Sequence, residues 1–207
     1  MMLDRDKYLS EDEARRLMEY AESKHLYDLQ KGRSYYVRSW MVIHFLLGTG
    51  CRASECRLAK IKDLNLKGRE PSVTLFGKRS KKSKKPKKRT VEISPKLKKH
   101  LQSFLKWKGI VGEPVGLNDY LFTNRLKKPW SLMGIQNVFK RMAKEAGLRE
   151  VYSIHSTRHC YGFMMFKKTK NIRLCQNLLG HASLASTQVY AHVCPDEKRK
   201  AVNNLWN

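Results

Sequence analysis

Between Lys78 and Arg89, nine of twelve residues are lysine or arginine. Side chains of one sign at that density repel one another and cannot be buried together, so the segment must be solvated or lie against an anion. It therefore cannot belong to a core, and it separates what flanks it. On one side Val73 and Leu75, and on the other Val91 and Ile93, alternate with polar neighbours. That pattern predicts two strands of one antiparallel ribbon joined by a basic loop. The excess extends over the chain, where 43 Lys and Arg against 18 Asp and Glu leave a net charge of +25 on 207 residues. Such a balance excludes a neutral scaffold and predicts a polyanionic partner.

Elsewhere the periodicity is helical. Ser10 precedes Glu11, Asp12 and Glu13, with Leu17, Met18 and Ala21 beyond, which predicts a capped amphipathic helix. A second helix is expected from about Ser34 to Leu47, with Tyr36, Trp40, Ile43, His44 and Leu47 on its core stripe and Val37 and Met41 beside it. Gly48 and Gly50 interrupt it, and a short helix carries Arg52, Glu55 and Leu58. Further helices are expected from Pro95 to about Trp107, from Ser131 to Gly147, over His155 to Phe166 and from Asn171 to Leu179, with Gly180 ending the last. The expected fold class is mainly α with a small antiparallel β-sheet, in one domain over 1–207. A chain of this length buries roughly 70% of its unfolded surface and needs no disulfides. Cys51, Cys56, Cys160, Cys175 and Cys194 are odd in number and lack C-x-x-C spacing, which points to reduced thiols in a cytoplasmic or nuclear protein. No apolar run approaches the ~20 residues that cross a bilayer.

From Val151 to Pro195 there is no Asp or Glu, although the stretch holds His155, Arg158, His159, His181, Tyr190 and His192. Glycoside hydrolysis and most metal-assisted phosphoryl transfer require carboxylates. Imidazole, guanidinium and phenol instead suit a phosphodiester, because an arginine fork matches phosphate oxygens and histidine moves protons near neutral pH. Spacing of three puts His155 and Arg158 on one helix face. Plainer roles stay open: His155 as a buried histidine at a helix start, Arg158 in a surface ion pair, Arg52 paired with Glu55, Tyr190 in the core, the basic loop as a nonspecific nucleic-acid tail. Zinc on His155 and His159 is disfavoured, since the Glu of H-E-x-x-H is missing and Arg158 would bring a like charge to the metal.

Taken in order, Gly48-Thr49-Gly50-Cys51-Arg52-Ala53-Ser54-Glu55 resembles the T-G-x-R-x-x-E box of the tyrosine recombinases, the phage-type integrases. His155-Ser156-Thr157-Arg158-His159 resembles their H-x-x-R-H box. Leu178-Leu179-Gly180-His181 and Thr187-Gln188-Val189-Tyr190-Ala191-His192 resemble their L-L-G-H and T-x-x-Y-x-H boxes. Gly77-Lys78 stands where the family carries a hairpin lysine, and the likeness spans about residues 8 to 195.

The resemblance implies a DNA strand transesterase. Tyr190 would be the nucleophile, Arg52, Arg158 and His181 the phosphate donors, His155 the proton acceptor and Lys78 the general acid, with Lys81 the second choice. Glu55 would orient Arg52, and Lys81, Lys82, Lys84, Lys85, Lys87, Lys88 and Arg89 would contact DNA. No cofactor or metal is assigned. The expected partners are double-stranded DNA carrying recombination sites, a homo-tetramer on paired sites and an accessory DNA-bending protein, in the cytoplasm and away from membranes. Residues 196–207, with Val202, Leu205 and Trp206 on one face, would form a helix that docks on a neighbouring subunit. The family's N-terminal core-binding domain is expected to be absent. A type IB topoisomerase-like nicking activity and a non-catalytic basic DNA-binding accessory protein are the alternatives.

Overall fold

Helix α1 (Glu11–Gln30) of the computed structural model starts at a reciprocal cap: Glu13 N–H donates to Ser10 Oγ at 3.1 Å, and Ser10 N–H donates to the Glu13 carboxylate at 2.8 Å. The structure describes residues 8–79, 86–124, 126–180 and 187, and of Lys78 and Arg79 the backbone alone. Helix α2 (Tyr35–Thr49) departs from the expected single stripe. Val42, Phe45 and Leu46 are buried together with Val37, Trp40, Met41, Ile43 and His44. The helix has little solvent face because α1, α4 (Pro95–Ile110), α5 (Leu132–Glu145) and α6 (Ile154–Thr169) all pack on it. An apolar helix of this kind is the centre of a fold rather than one of its walls.

Three further helix starts follow local chemistry. Leu97 N–H donates to Ser94 Oγ ahead of Pro95, and Gly134 N–H donates to Ser131 Oγ. Leu174 N–H donates to Asn171 Oδ1 at the head of α7 (Ile172–Leu179). Helix α7 leans on α6 through a small separate cluster of Tyr8, Phe166, Cys175 and Leu179.

Short helix α3 (Ala53–Leu58) leads to a three-stranded antiparallel sheet, β1 (Leu64–Asn65), β2 (Ser72–Arg79) and β3 (Pro86–Glu92), in that spatial order. The mainly α class with a small antiparallel sheet is therefore observed. Val73 faces Val91 and Leu75 faces Arg89, as an antiparallel ribbon requires. The strands continue further into the basic stretch than the sequence reading places them, out to Arg79 opposite Pro86. Like charge opposes burial of the side chains, not pairing of the backbones: lysines on an open ribbon can stay in water while their amides pair. Cys51, Cys56, Cys160 and Cys175 are buried free thiols, as expected, and Cys194 lies outside the described residues. No described helix is long and apolar enough to cross a membrane.

Candidate active site

The turn from α2 into α3 sets Arg52. Gly50 ends α2 in the left-handed region at φ 58°, and a Cβ there would stand 2.4 Å from Tyr161 Cδ1, so both conformation and space require glycine. Arg52 then takes extended geometry as the residue capping α3. One turn on, the Glu55 carboxylate accepts from the Arg52 backbone N–H at 2.8 Å and from Arg52 Nη1 at 2.9 Å. Burial alone would raise the Glu55 carboxyl. Hydrogen bonds from Arg89 and then from the Arg52 backbone, with the charges of both arginines, outweigh it and bring the group down to about 2.

Helix α6 delivers His155 and Arg158, and it inverts the plainer roles left open for them. His155 is exposed, whereas Arg158 is only 5% exposed. Arg158 Nη1 donates to the Gly50 carbonyl at 2.7 Å and Nη2 to the Leu179 carbonyl at 2.5 Å. The ends of α2 and α7 leave carbonyls without helical partners, and a planar fork satisfies one from each. Arg158 thereby locks the Arg52 turn to the end of α7.

These elements surround a cleft of about 730 Å³, lined among others by Arg52, Lys87, Lys88, Arg89, Gln136 and His155. Among the described lining residues there is no carboxylate. Cations focused in a concave site attract an anion, and a phosphodiester fits both the charge and the donor geometry. Among the described residues no group of three or more His, Cys, Asp or Glu is arranged to hold a metal.

The candidates fall into three groups. Arg52 and His155 share the cleft, and Arg158 braces its wall from within. Lys87 and Lys88 are exposed, and both line the cleft from β3. Lys78 sits beside Gly77 at an irregularity in the β2–β3 register, between Phe76 and Arg79. Lys81, Lys82, Lys84, Lys85, His181 and Tyr190 lie outside the described residues, as does the segment 196–207.

Arg89 requires a correction. Its place in the sequence groups it with the DNA contacts, but its guanidinium is committed inside the protein: Nη1 and Nη2 each donate to Glu55 at 2.8 Å, and Nε donates to the Leu178 carbonyl at 3.0 Å. Arg89 shares one face of β3 with the buried Val91, and, unlike Lys87 on that same face, it lies within reach of Glu55 and the Leu178 carbonyl. Gln136 is a lining residue the sequence reading missed. It follows Leu132 by one turn of α5, so a cleft placed at the start of that helix would have pointed to it.

The phage integrase family model matches residues 7–197. Tyrosine recombinase XerD of Oceanobacillus iheyensis is 28% identical over 186 residues, covering 89% of this chain and 57% of that protein. A tyrosine recombinase of Pseudothermotoga lettingae is 30% identical over 169 residues, covering 81% and 54%. The chain thus spans little more than half the length of these curated relatives. Among solved structures, the XerA recombinase superposes with a TM-score of 0.76 at 29% identity, over 100% of this chain and 66% of that one. The XerH site-specific recombinase in its pre-cleavage complex with difH gives 0.72 at 26% identity, over 94% and 52%. With the arginine-braced cleft, the ordered boxes and a family match over nearly the whole length, the chain belongs to the phage integrase family, the tyrosine recombinases.

Proposed function

We propose that this chain cuts and rejoins DNA strands at specific sites through a 3′-phosphotyrosyl intermediate. The observation that carries the reading is the convergence of Arg52, His155 and the exposed Lys87 and Lys88 on one cleft without a lining carboxylate. The relatives' names and the XerH complex with its difH substrate agree with it.

In this reading the Tyr190 oxygen attacks a phosphodiester. The P–O bond to the 5′-oxygen breaks, and a phosphotyrosyl bond forms in its place. A second strand's 5′-hydroxyl reverses the step, so bond energy is conserved and ATP is not needed. Arg52, His181 and the N–H groups that Arg158 does not give to the Gly50 and Leu179 carbonyls stabilise the charge that builds on the non-bridging oxygens, about 3 kcal/mol for a preorganised donor. His155 accepts the phenol proton, and the surrounding cations favour the phenolate of a group whose ordinary pKa is ~10. Lys78 protonates the departing 5′-oxygen. The partners that follow are double-stranded DNA with recombination sites, a tetramer of this chain on two such sites and an accessory DNA-bending protein.

The test is covalent trapping. Incubated with nicked genomic fragments, the protein should acquire DNA ends attached at Tyr190, in EDTA as well as without it. Tyr190→Phe should bind the same DNA and form no adduct; an adduct that persists in Tyr190→Phe would reject the nucleophile. Exchange between two duplexes, rather than relaxation of one supercoiled circle, separates a recombinase from a topoisomerase-like enzyme.

A further inference from the structure

Among the basic residues of the hairpin whose side chains are described, Arg89 is the one whose charge is turned away from water, with 12% of its side chain exposed. Its fork closes on both oxygens of Glu55, a carboxylate 1% exposed. That carboxylate also holds the Arg52 backbone and guanidinium. On its other edge Arg89 bonds the Leu178 carbonyl, and its methylenes lie so close to Gly180 that a Cβ there would stand 2.9 Å from Arg89 Cδ. One side chain thus links the hairpin, the Arg52 turn and the end of α7.

We propose that Arg89 is a positioning residue of the reaction centre, fixing the Arg52 guanidinium through Glu55 and the end of α7 through the Leu178 carbonyl. The inference rests on the strand-transfer reading above. Stability alone does not account for the arrangement, because a buried ion pair seldom outperforms apolar packing of the same volume. Charge does account for it. Arg52 and Glu55 by themselves form a neutral pair, and a carboxylate beside the cleft would oppose an incoming phosphate. With Arg89 added, two cations share one anion and the group keeps a net positive charge. Arg52 gives Nη1 to Glu55 and, with 38% of its side chain exposed, keeps other N–H groups for the cleft. A bidentate grip on both oxygens also fixes the plane of the carboxylate, and hence the direction from which Arg52 is held. Lysine cannot do this, since an ammonium offers no planar fork.

The test compares Arg89→Lys with the unmodified protein in two measurements. In protein labelled at arginine with nitrogen-15, the Arg52 Nε–H resonance, assigned by Arg52→Lys, should shift or broaden in Arg89→Lys. On a nicked DNA substrate, the single-turnover rate of adduct formation at saturating protein should fall by about 10²-fold, the scale set by a misplacement near 1 Å, with DNA affinity little changed. Glu55→Gln should reproduce the loss, and the double variant should fall no further than the worse single one. An unmoved Arg52 resonance, a loss confined to DNA affinity, or additive losses in the double variant would each overturn the proposal. Failure of the unmodified protein to form any adduct would reject strand transfer instead, and the Arg52 resonance would still decide the role of Arg89.

Discussion

Lys108 shows how one residue can leave the class its composition assigns it. In a chain with 43 Lys and Arg it reads as surface charge, yet its side chain is fully buried. Its ammonium donates to Glu113 Oε2 at 3.1 Å, to Thr123 Oγ1 at 3.1 Å and to the Leu121 carbonyl at 3.2 Å. Arg38 binds the other Glu113 oxygen. Burial pushes the lysine below its ordinary value, and Glu113 opposes that shift. Lys108→Ala should therefore cost about 3–5 kcal/mol, the range for breaking a buried pair from one side, measured as a drop in the denaturant midpoint. A loss below about 1 kcal/mol would place the pair with ordinary surface ion pairs. Nothing in the local sequence marks Lys108, because its partners come from the following loop and helical periodicity does not register them. Arg52 and His155 were legible for the opposite reason: fixed spacing between chemically unusual residues survives without knowledge of packing. Their burial was not legible, and the exposed His155 and buried Arg158 reverse what isolated residue types suggest.

At the scale of elements, caps and turns carried most of the readable information. Ser10, Ser94, Ser131 and Asn171 each accept the backbone hydrogen bond that starts a helix. Gly50 and Gly180 end α2 and α7 with positive φ. Gly50→Ala should be the costlier loss of the two. The left-handed conformation costs about 1–2 kcal/mol for a residue with a Cβ, and the new methyl would meet the Tyr161 ring at 2.4 Å. Because the Gly50 carbonyl holds Arg158, adduct formation should fall further than the lost stability explains; activity retained in proportion to the folded fraction would uncouple the turn from the site. The hairpin was legible as strands but not in its extent, since the density of lysine masks strand parity. That parity puts Lys88 on the face opposite Arg89, whereas Lys87 shares the face of Arg89 and yet is exposed, two residues nearer the start of β3. Neutralising Lys87 and Lys88 together should flatten the dependence of log K on log[salt] by about 0.9 for each DNA phosphate that the two lysines neutralise. An unchanged slope would show that neither lysine meets the DNA backbone.

Over the whole molecule, the seam between α1, α2 and α4 couples stability to pH. His25 stacks on Trp40 at 3.9 Å, and His44 Nδ1 lies 3.3 Å from His100 Nδ1. His25 Nδ1, Trp40 Nε1 and His44 Nε2 are buried without a hydrogen-bond partner. Burial, then the charges of His100, Lys96 and His25, lowers His44 to about 3 from an ordinary 6.5. His25 and His100 are lowered too, chiefly by burial, although Glu22 acts on both in the opposite sense and Asp28 does so on His25. Between pH 6.5 and pH 3 the unfolded chain therefore binds more protons at His44 than the folded one, so stability falls as pH falls. One such proton contributes up to about 1.4 kcal/mol per pH unit. Glu55 works in the same direction but lower down, between its ordinary 4.5 and about 2. The decline should consequently begin near pH 6.5, before carboxylates titrate, and His44→Phe should flatten its upper part when denaturant midpoints are followed against pH. Repulsion within a chain of net charge +25 would also weaken the fold in acid. Salt distinguishes the two causes: it screens repulsion between surface charges, whereas the cost of charging a buried imidazole does not depend on the ions outside. If the histidine seam is responsible, the decline below pH 6.5 should survive at high ionic strength and its upper part should flatten in His44→Phe; a decline abolished by salt would assign it to net charge.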